Sequence, residues 1–254
     1  MKSILEAILV LGLVHFSLQA TNYCDPALCA PSVKHIGCNA STTFGQSTGK
    51  LVPLGSSSIF AILDLHNNFR NIVSMGLEKN GNGTYYPQAS RMRSMQWDTE
   101  LASLATINAR QCEMKGDACR NTAKYPAAGQ NLATYSMYGL NITVDDIANI
   151  MIKNWYRYAS GGSSQMLQRY PTSGTTIATF TQMVKDTADR VGCAMSTWKD
   201  GIWTRYYLVC NYAITNIYGK ATYASGKTAS GCTQGRNPSY PGLCSINEPS
   251  NYQP

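Results

Sequence analysis

The sequence predicts an α+β fold in which helices pack on an antiparallel sheet. Two observations carry the prediction. Three helix-length segments repeat apolar residues every three to four positions, and two strand-like runs, 191–196 and 206–212, follow them in the chain. The length bounds it: 254 residues, 44% hydrophobic, suffice for one large domain or two small ones.

Residues 1–20 open with Met1-Lys2, run apolar from Ile4 to Val14 around a single Glu6, and end at Gln19-Ala20. This is the pattern of a secretory signal peptide, and the run is too short for a spanning helix. An exported chain meets an oxidising environment, so its nine cysteines are candidates for pairing. Residues 21–55 form the next unit, an irregular cysteine-rich head with Cys24, Cys29, Cys38 and three prolines.

From residue 56 the pattern changes. Ser56, Ser57 or Ser58 can cap a helix in which Ile59, Leu63, His66, Arg70 and Val73 share a face. Gly76, Gly81, Gly83 and Pro87 then mark a loop. A second helix starts near Asp98, with Leu101, Leu104, Ala105 and Asn108 in phase and Cys112 continuing that face. A third starts at Thr143, with Asp146 in a box-like position. Ile147, Ile150, Met151, Trp155 and Tyr158 are its apolar stripe, and Gly161-Gly162 stops it. The two strands contain Cys193 and Cys210, for which a cross-strand disulfide is the simplest reading. Cys232 and Cys244 lie in a Pro- and Gly-rich extension, 227–254, where they close a terminal loop.

The net charge is +7, but no basic run exceeds Arg91-Met92-Arg93. This argues against a nucleic-acid binder, which gathers its cations into a stripe, and favours solubility or attraction to anionic surfaces. Asn39, Asn82 and Asn141 each begin an Asn-x-Ser/Thr sequon and are candidate glycosylation sites.

Several motifs carry more than periodicity. Leu65-His66-Asn67-Asn68-Phe69-Arg70 resembles the first-helix signature of the CAP superfamily. The segments 119–125 and Gly129-Gln130-Asn131-Leu132 resemble its central signature. Phe180-Thr181-Gln182-Met183-Val184 is similar to the first family strand motif, and 207–212 with Asn216 and Gly219 to the second. The set spans 59–226, within a domain read as 56–226. The cysteine-rich head resembles insect antigen 5 proteins of venom and saliva, and Asn22-Tyr23-Cys24 favours a salivary member from a blood-feeding fly. The resemblance implies a three-layer α–β–α sandwich and a secreted, allergenic protein, read here as a monomer with no membrane insertion. It also implies the pairs Cys24–Cys38, Cys29–Cys119 and Cys193–Cys210. The expected partner of Cys112 is missing from the Gln46-Ser47-Thr48 neighbourhood, which leaves Cys112 as a buried free thiol, as an intermolecular link or as part of a rearranged head.

Many members of this superfamily hold two His and two acidic residues in a central cleft. On the motifs quoted, those positions correspond here to His66, Gln130, Tyr158 and Thr179. One imidazole with an amide, a phenol and a hydroxyl is a poor zinc donor set, so no metal, cofactor or catalytic residue is expected. No Gly-x-Ser-x-Gly elbow supplies a nucleophile instead.

Three non-enzymatic readings remain. Lys115-Gly116-Asp117 resembles an integrin-recognition tripeptide, with the carboxylate available to a receptor-bound cation and the turn suited to blocking platelet aggregation. Alternatively, Ile147, Met151, Trp155 and Tyr158 line a slot against the first helix, with Arg70 or Lys153 at its mouth, for a small lipid mediator such as a fatty acid or eicosanoid. The same stripe would equally serve as ordinary core. The third reading is a scaffold for another protein partner.

Overall fold

The structure is a computed structural model, and it describes residues 21–172 and 176–253. The expected signal peptide, 1–20, lies outside the described residues. The sheet comprises β1 (Lys50–Val52), β2 (Gln96–Trp97), β3 (Gly129–Met137), β4 (Arg190–Asp200) and β5 (Trp203–Tyr212). Its order is β1-β4-β5-β3, antiparallel throughout, with β2 pairing in parallel beside β4. The helices are α1 (Ser56–Ser74), α2 (Thr99–Ala109), α3 (Val144–Arg157), α4 (Ser164–Gln168) and α5 (Ala178–Val184).

Three layers result. On one face α2 packs Ala105 and Ala109 against Ala194, Tyr207 and Val209. The approach is close because Gly192 has no side chain: a Cβ there would lie 2.2 Å from the Ala102 nitrogen. On the other face α1, α3 and α5 cover Val191, Cys193, Met195, Leu208, Cys210 and Tyr212. Alternation along the strands sorts the side chains onto these two faces.

Local chemistry explains the helix starts. The Asp98 carboxylate accepts from the Leu101 N–H, and Thr143 Oγ1 accepts from the Asp146 N–H. The start of α1 differs from expectation. Ser56, Ser57 and Ser58 lie inside the helix, and its N-cap is Gly55, with no side-chain bond. Two further expectations are corrected. The Phe180–Val184 motif, read as a strand, lies in α5, and Lys50–Val52, read as part of an irregular head, is an edge strand. The head is fastened by Cys24–Cys38 and Cys29–Cys119, the hairpin by Cys193–Cys210 and the extension by Cys232–Cys244. Cys112 is free and buried, with its sulfur 4.0 Å from Ser196 Oγ.

Candidate functional site

The four residues expected to form a cleft do not all converge. His66 is fully buried on α1. Its Nδ1 lies 2.7 Å from the Ile62 carbonyl, which can only accept, so Nδ1 carries the proton. Nε2 therefore accepts from the Tyr212 hydroxyl at 2.9 Å, and that hydroxyl in turn accepts from Asn131 Nδ2 at 3.4 Å. Burial holds the His66 imidazole down at about 4, and the Arg70 charge adds to the effect.

Gln130 is the strand neighbour of Asn131 and so faces the opposite side of the sheet, away from His66. Thr179 Oγ1 donates to the Trp155 carbonyl, and Tyr158 is 48% exposed. His66 and Thr179 are linked through Asn131, whose Nδ2 donates to the Thr179 carbonyl at 2.9 Å and to the Tyr212 hydroxyl, while Gln130 and Tyr158 lie apart. The expected cleft of His66, Gln130, Tyr158 and Thr179 is therefore corrected to a buried network that holds two of the four. Among the described residues, no group of three or more His, Cys, Asp or Glu is placed to hold a metal ion. These donors do not fit zinc.

The Lys115–Asp117 segment is split. Lys115 and Gly116 are exposed. The Asp117 side chain, only 1% exposed, turns inward. Its carboxylate accepts from Asn108 Nδ2, from Gln130 Nε2 at 2.6 Å and from Arg120 Nε at 3.4 Å. The Tyr207 hydroxyl donates to Asn108 Oδ1 at 2.6 Å, and Gln130 Nε2 also donates to Asn211 at 3.0 Å. The expectation of a presented carboxylate is corrected: the three donors have already taken it.

The slot expected between the first and third helices is filled. Ile147, Met151 and Trp155 are core residues, 0–2% exposed, and Phe69 of α1 stacks on Tyr156 of α3 at 3.8 Å between ring centroids. Arg70, expected at a mouth, is completely buried. Its guanidinium donates to the carbonyls of Arg93, Met183 and Lys185 at 2.7–3.0 Å. Burial lowers its pKa to about 10, against the pull of Asp186 and Asp189. Lys153 is exposed on the outer face of α3.

A different hollow is open. At the end of the sheet where β4 turns into β5, the strands and the 138–143 loop line a cavity of about 470 Å³. Met137, Thr197, Thr204 and Tyr206 line it from the sheet, and Leu140, Asn141 and Ile142 line it from the loop. Lys50 and Lys199 border it, and its lining contains no carboxylate. Lys199 Nζ donates to Thr204 Oγ1 at 2.7 Å, which holds one cation at the rim. Sequence reasoning missed this site because it depends on how a loop and four strand ends meet. A larger hollow, about 540 Å³, lies between the head and α2. It mixes Lys34 and Arg110 with Glu113, and its Arg110 is already engaged by the Thr42 carbonyl and the Phe44 ring.

The pattern of the family described as "CAP: Cysteine-rich secretory protein family" matches residues 63–212. The chain is 39% identical over 248 residues to Venom allergen-1 of Aedes albopictus, covering 95% of this chain and 94% of that protein. It is 40% identical over 232 residues to Venom allergen-1 of Aedes aegypti, covering 89% and 88%. The fold is similar to the crystal structure of NaASP2 with Zn2+, with a TM-score of 0.61, 27% identity and coverage of 75% of this chain and 96% of that one. A family pattern over more than half the sequence and mosquito relatives matched almost end to end give one answer: the chain belongs to the CAP family of cysteine-rich secretory proteins, beside the insect venom-allergen and antigen 5 proteins.

Proposed function

We propose that this secreted, extracellular protein is a non-enzymatic scavenger of small amphipathic anions of the fatty-acid or eicosanoid class, held in the cavity beneath the 138–143 loop. The observation that carries the reading is the lining. Met137, Leu140, Ile142 and Tyr206 offer an apolar body, Lys50 and Lys199 stand at the border, and no lining carboxylate would repel an anion. An apolar tail buried against these walls contributes most of the affinity. The lysines set the orientation and disfavour neutral lipids.

Titration with the fluorescent fatty acid cis-parinaric acid tests it. One saturable site is expected. Ile142→Trp, which fills the hollow, abolishes uptake, and Lys199→Glu weakens it roughly fivefold. No saturable uptake, or equal uptake by Ile142→Trp, refutes the reading.

A second reading keeps Lys115-Gly116-Asp117 as an integrin antagonist acting on platelet aggregation. Exposure of Lys115 and Gly116 favours it, together with the Cys29–Cys119 link that limits the segment's freedom. The carboxylate would have to leave Asn108, Gln130 and Arg120 to reach a receptor-bound cation. Competition with fibrinogen for its platelet receptor, lost in Lys115→Glu, would support this reading. Absence of competition by the parent protein would end it.

A further inference from the structure

The hairpin joining β4 to β5 turns through Gly201 and Ile202 alone, between the paired Asp200 and Trp203. Gly201 has φ +56°, and Ile202 does not share the positive-φ region, which makes this a type II′ turn. The fold asks for glycine at the first position and imposes nothing apolar at the second. Yet Ile202 is 63% exposed at the apex. Trp203 follows it, 42% exposed, and β3 ends alongside, with Met137 opposite Thr204. The chain leaving β3 carries Tyr138 and Leu140, both more than half exposed. The Tyr138 ring meets Trp203 edge-on at 6.2 Å.

Four large apolar or aromatic side chains therefore gather at one end of the molecule without contributing to its core. Lys50 and Lys199 border the same cavity as Leu140, and Lys199 lies one residue before Asp200, the strand partner of Trp203. Asp200, the one carboxylate in the turn, is neutralised by Arg205 at 2.9 Å. Indole and phenol rings favour the wet–apolar boundary of a bilayer, aliphatic neighbours anchor below it, and lysines meet lipid phosphates. The overall charge of +7 adds long-range attraction to an anionic surface. Among the described residues no helix is long and apolar enough to cross a membrane, so the contact is peripheral.

We propose that Tyr138, Leu140, Ile202 and Trp203 form a docking tip for an anionic phospholipid bilayer, with Lys50 and Lys199 paired to headgroup phosphates. The tip shares Leu140, Lys50 and Lys199 with the neighbouring cavity, whereas Tyr138, Ile202 and Trp203 do not line it, so variants at Ile202 and Trp203 separate this proposal from the scavenger reading. A protein that binds vesicles but takes up no fatty acid retains the tip and loses the scavenger reading, and the opposite result does the reverse.

Co-sedimentation with phosphatidylcholine vesicles, with and without phosphatidylserine, tests the proposal. Pelleting is expected to rise with phosphatidylserine and fall with salt. Ile202→Ser and Leu140→Ser should each weaken it roughly tenfold, and the double change Lys50→Glu, Lys199→Glu should remove its dependence on phosphatidylserine. All are exposed or rim positions, and unchanged thermal melting of each variant verifies the fold. Brominated lipid should quench a part of the tryptophan emission that is missing in Trp203→Phe. The series is repeated on Asn141→Gln, which removes any glycan beside the tip. Failure of both forms to pellet, or equal pelleting by parent and tip variants, overturns the proposal. So does a tip that binds a soluble protein while ignoring vesicles.

Discussion

Acidification should destabilise this protein through one imidazole. His66 is buried with both ring nitrogens engaged, Nδ1 donating to Ile62 and Nε2 accepting from Tyr212. A second proton has no place unless the tyrosine hydroxyl reverses. The folded pKa is about 4 against an ordinary 6.5. Because the folded value lies below the unfolded one, the unfolded chain takes up the proton first. The stabilisation is complete above the unfolded value and is lost as pH falls from about 6.5 towards about 4. Each pH unit in that window is worth ~1.4 kcal/mol, so about 2.5 kcal/mol is lost by about pH 4.5. Urea unfolding at neutral pH and at about pH 4.5 measures it, for the parent and for His66→Gln. His35, whose pKa burial also lowers, is common to both proteins and cancels. The stability gap between parent and variant should shrink by about 2.5 kcal/mol on acidification. A gap that stays constant refutes the assignment, as would a His66 C2–H resonance titrating near its ordinary value.

Arg70→Met preserves most of the side-chain stem but leaves the carbonyls of Arg93, Met183 and Lys185 without their donor. A loss of roughly 3–5 kcal/mol is expected in denaturant unfolding. Asp117→Ala removes one acceptor each from Asn108, Gln130 and Arg120, which keep the Lys115 carbonyl, Asn211 and the Ala128 carbonyl, and should cost about 1–3 kcal/mol by the same assay. A cost near zero would mean that the carboxylate is not held as described. Burial pushes the Cys112 thiol above its ordinary pKa, so maleimide labelling should be slow in the native protein and stoichiometric after unfolding.

Helix entry was legible wherever the signal is short-range. Asp98 and Thr143 cap their helices through contacts three residues away, and the cap residues can be read directly. The β4–β5 hairpin was legible for a similar reason, because its partners lie close in sequence. Long-range features were not. Phe180-Thr181-Gln182-Met183-Val184 reads as a strand only through its resemblance to a family motif, yet it forms a helix buried against α1 and α3. β3 starts with Gly-Gln-Asn, a poor strand opening, but Gly129 leaves room that Gln182 fills and Gln130 finds Asp117. Polar residues on the apolar face of α1 resembled a site; His66 and Arg70 are instead satisfied by carbonyls supplied from within the helix and from distant loops. The direction in which Asp117 points depends on Asn108, Gln130 and Arg120, and no tripeptide carries that information.

The Cys29–Cys119 bridge closes a sequence separation of 90 that contains all of α1 and α2 and the exposed 81–85 loop. A serine protease that clips this loop would cut the chain without releasing a fragment. The nicked protein should run at full mass on a non-reducing gel and fall into two pieces only with dithiothreitol. Tolerance of such a wound would suit a molecule that must keep its shape among the proteases of an injured tissue.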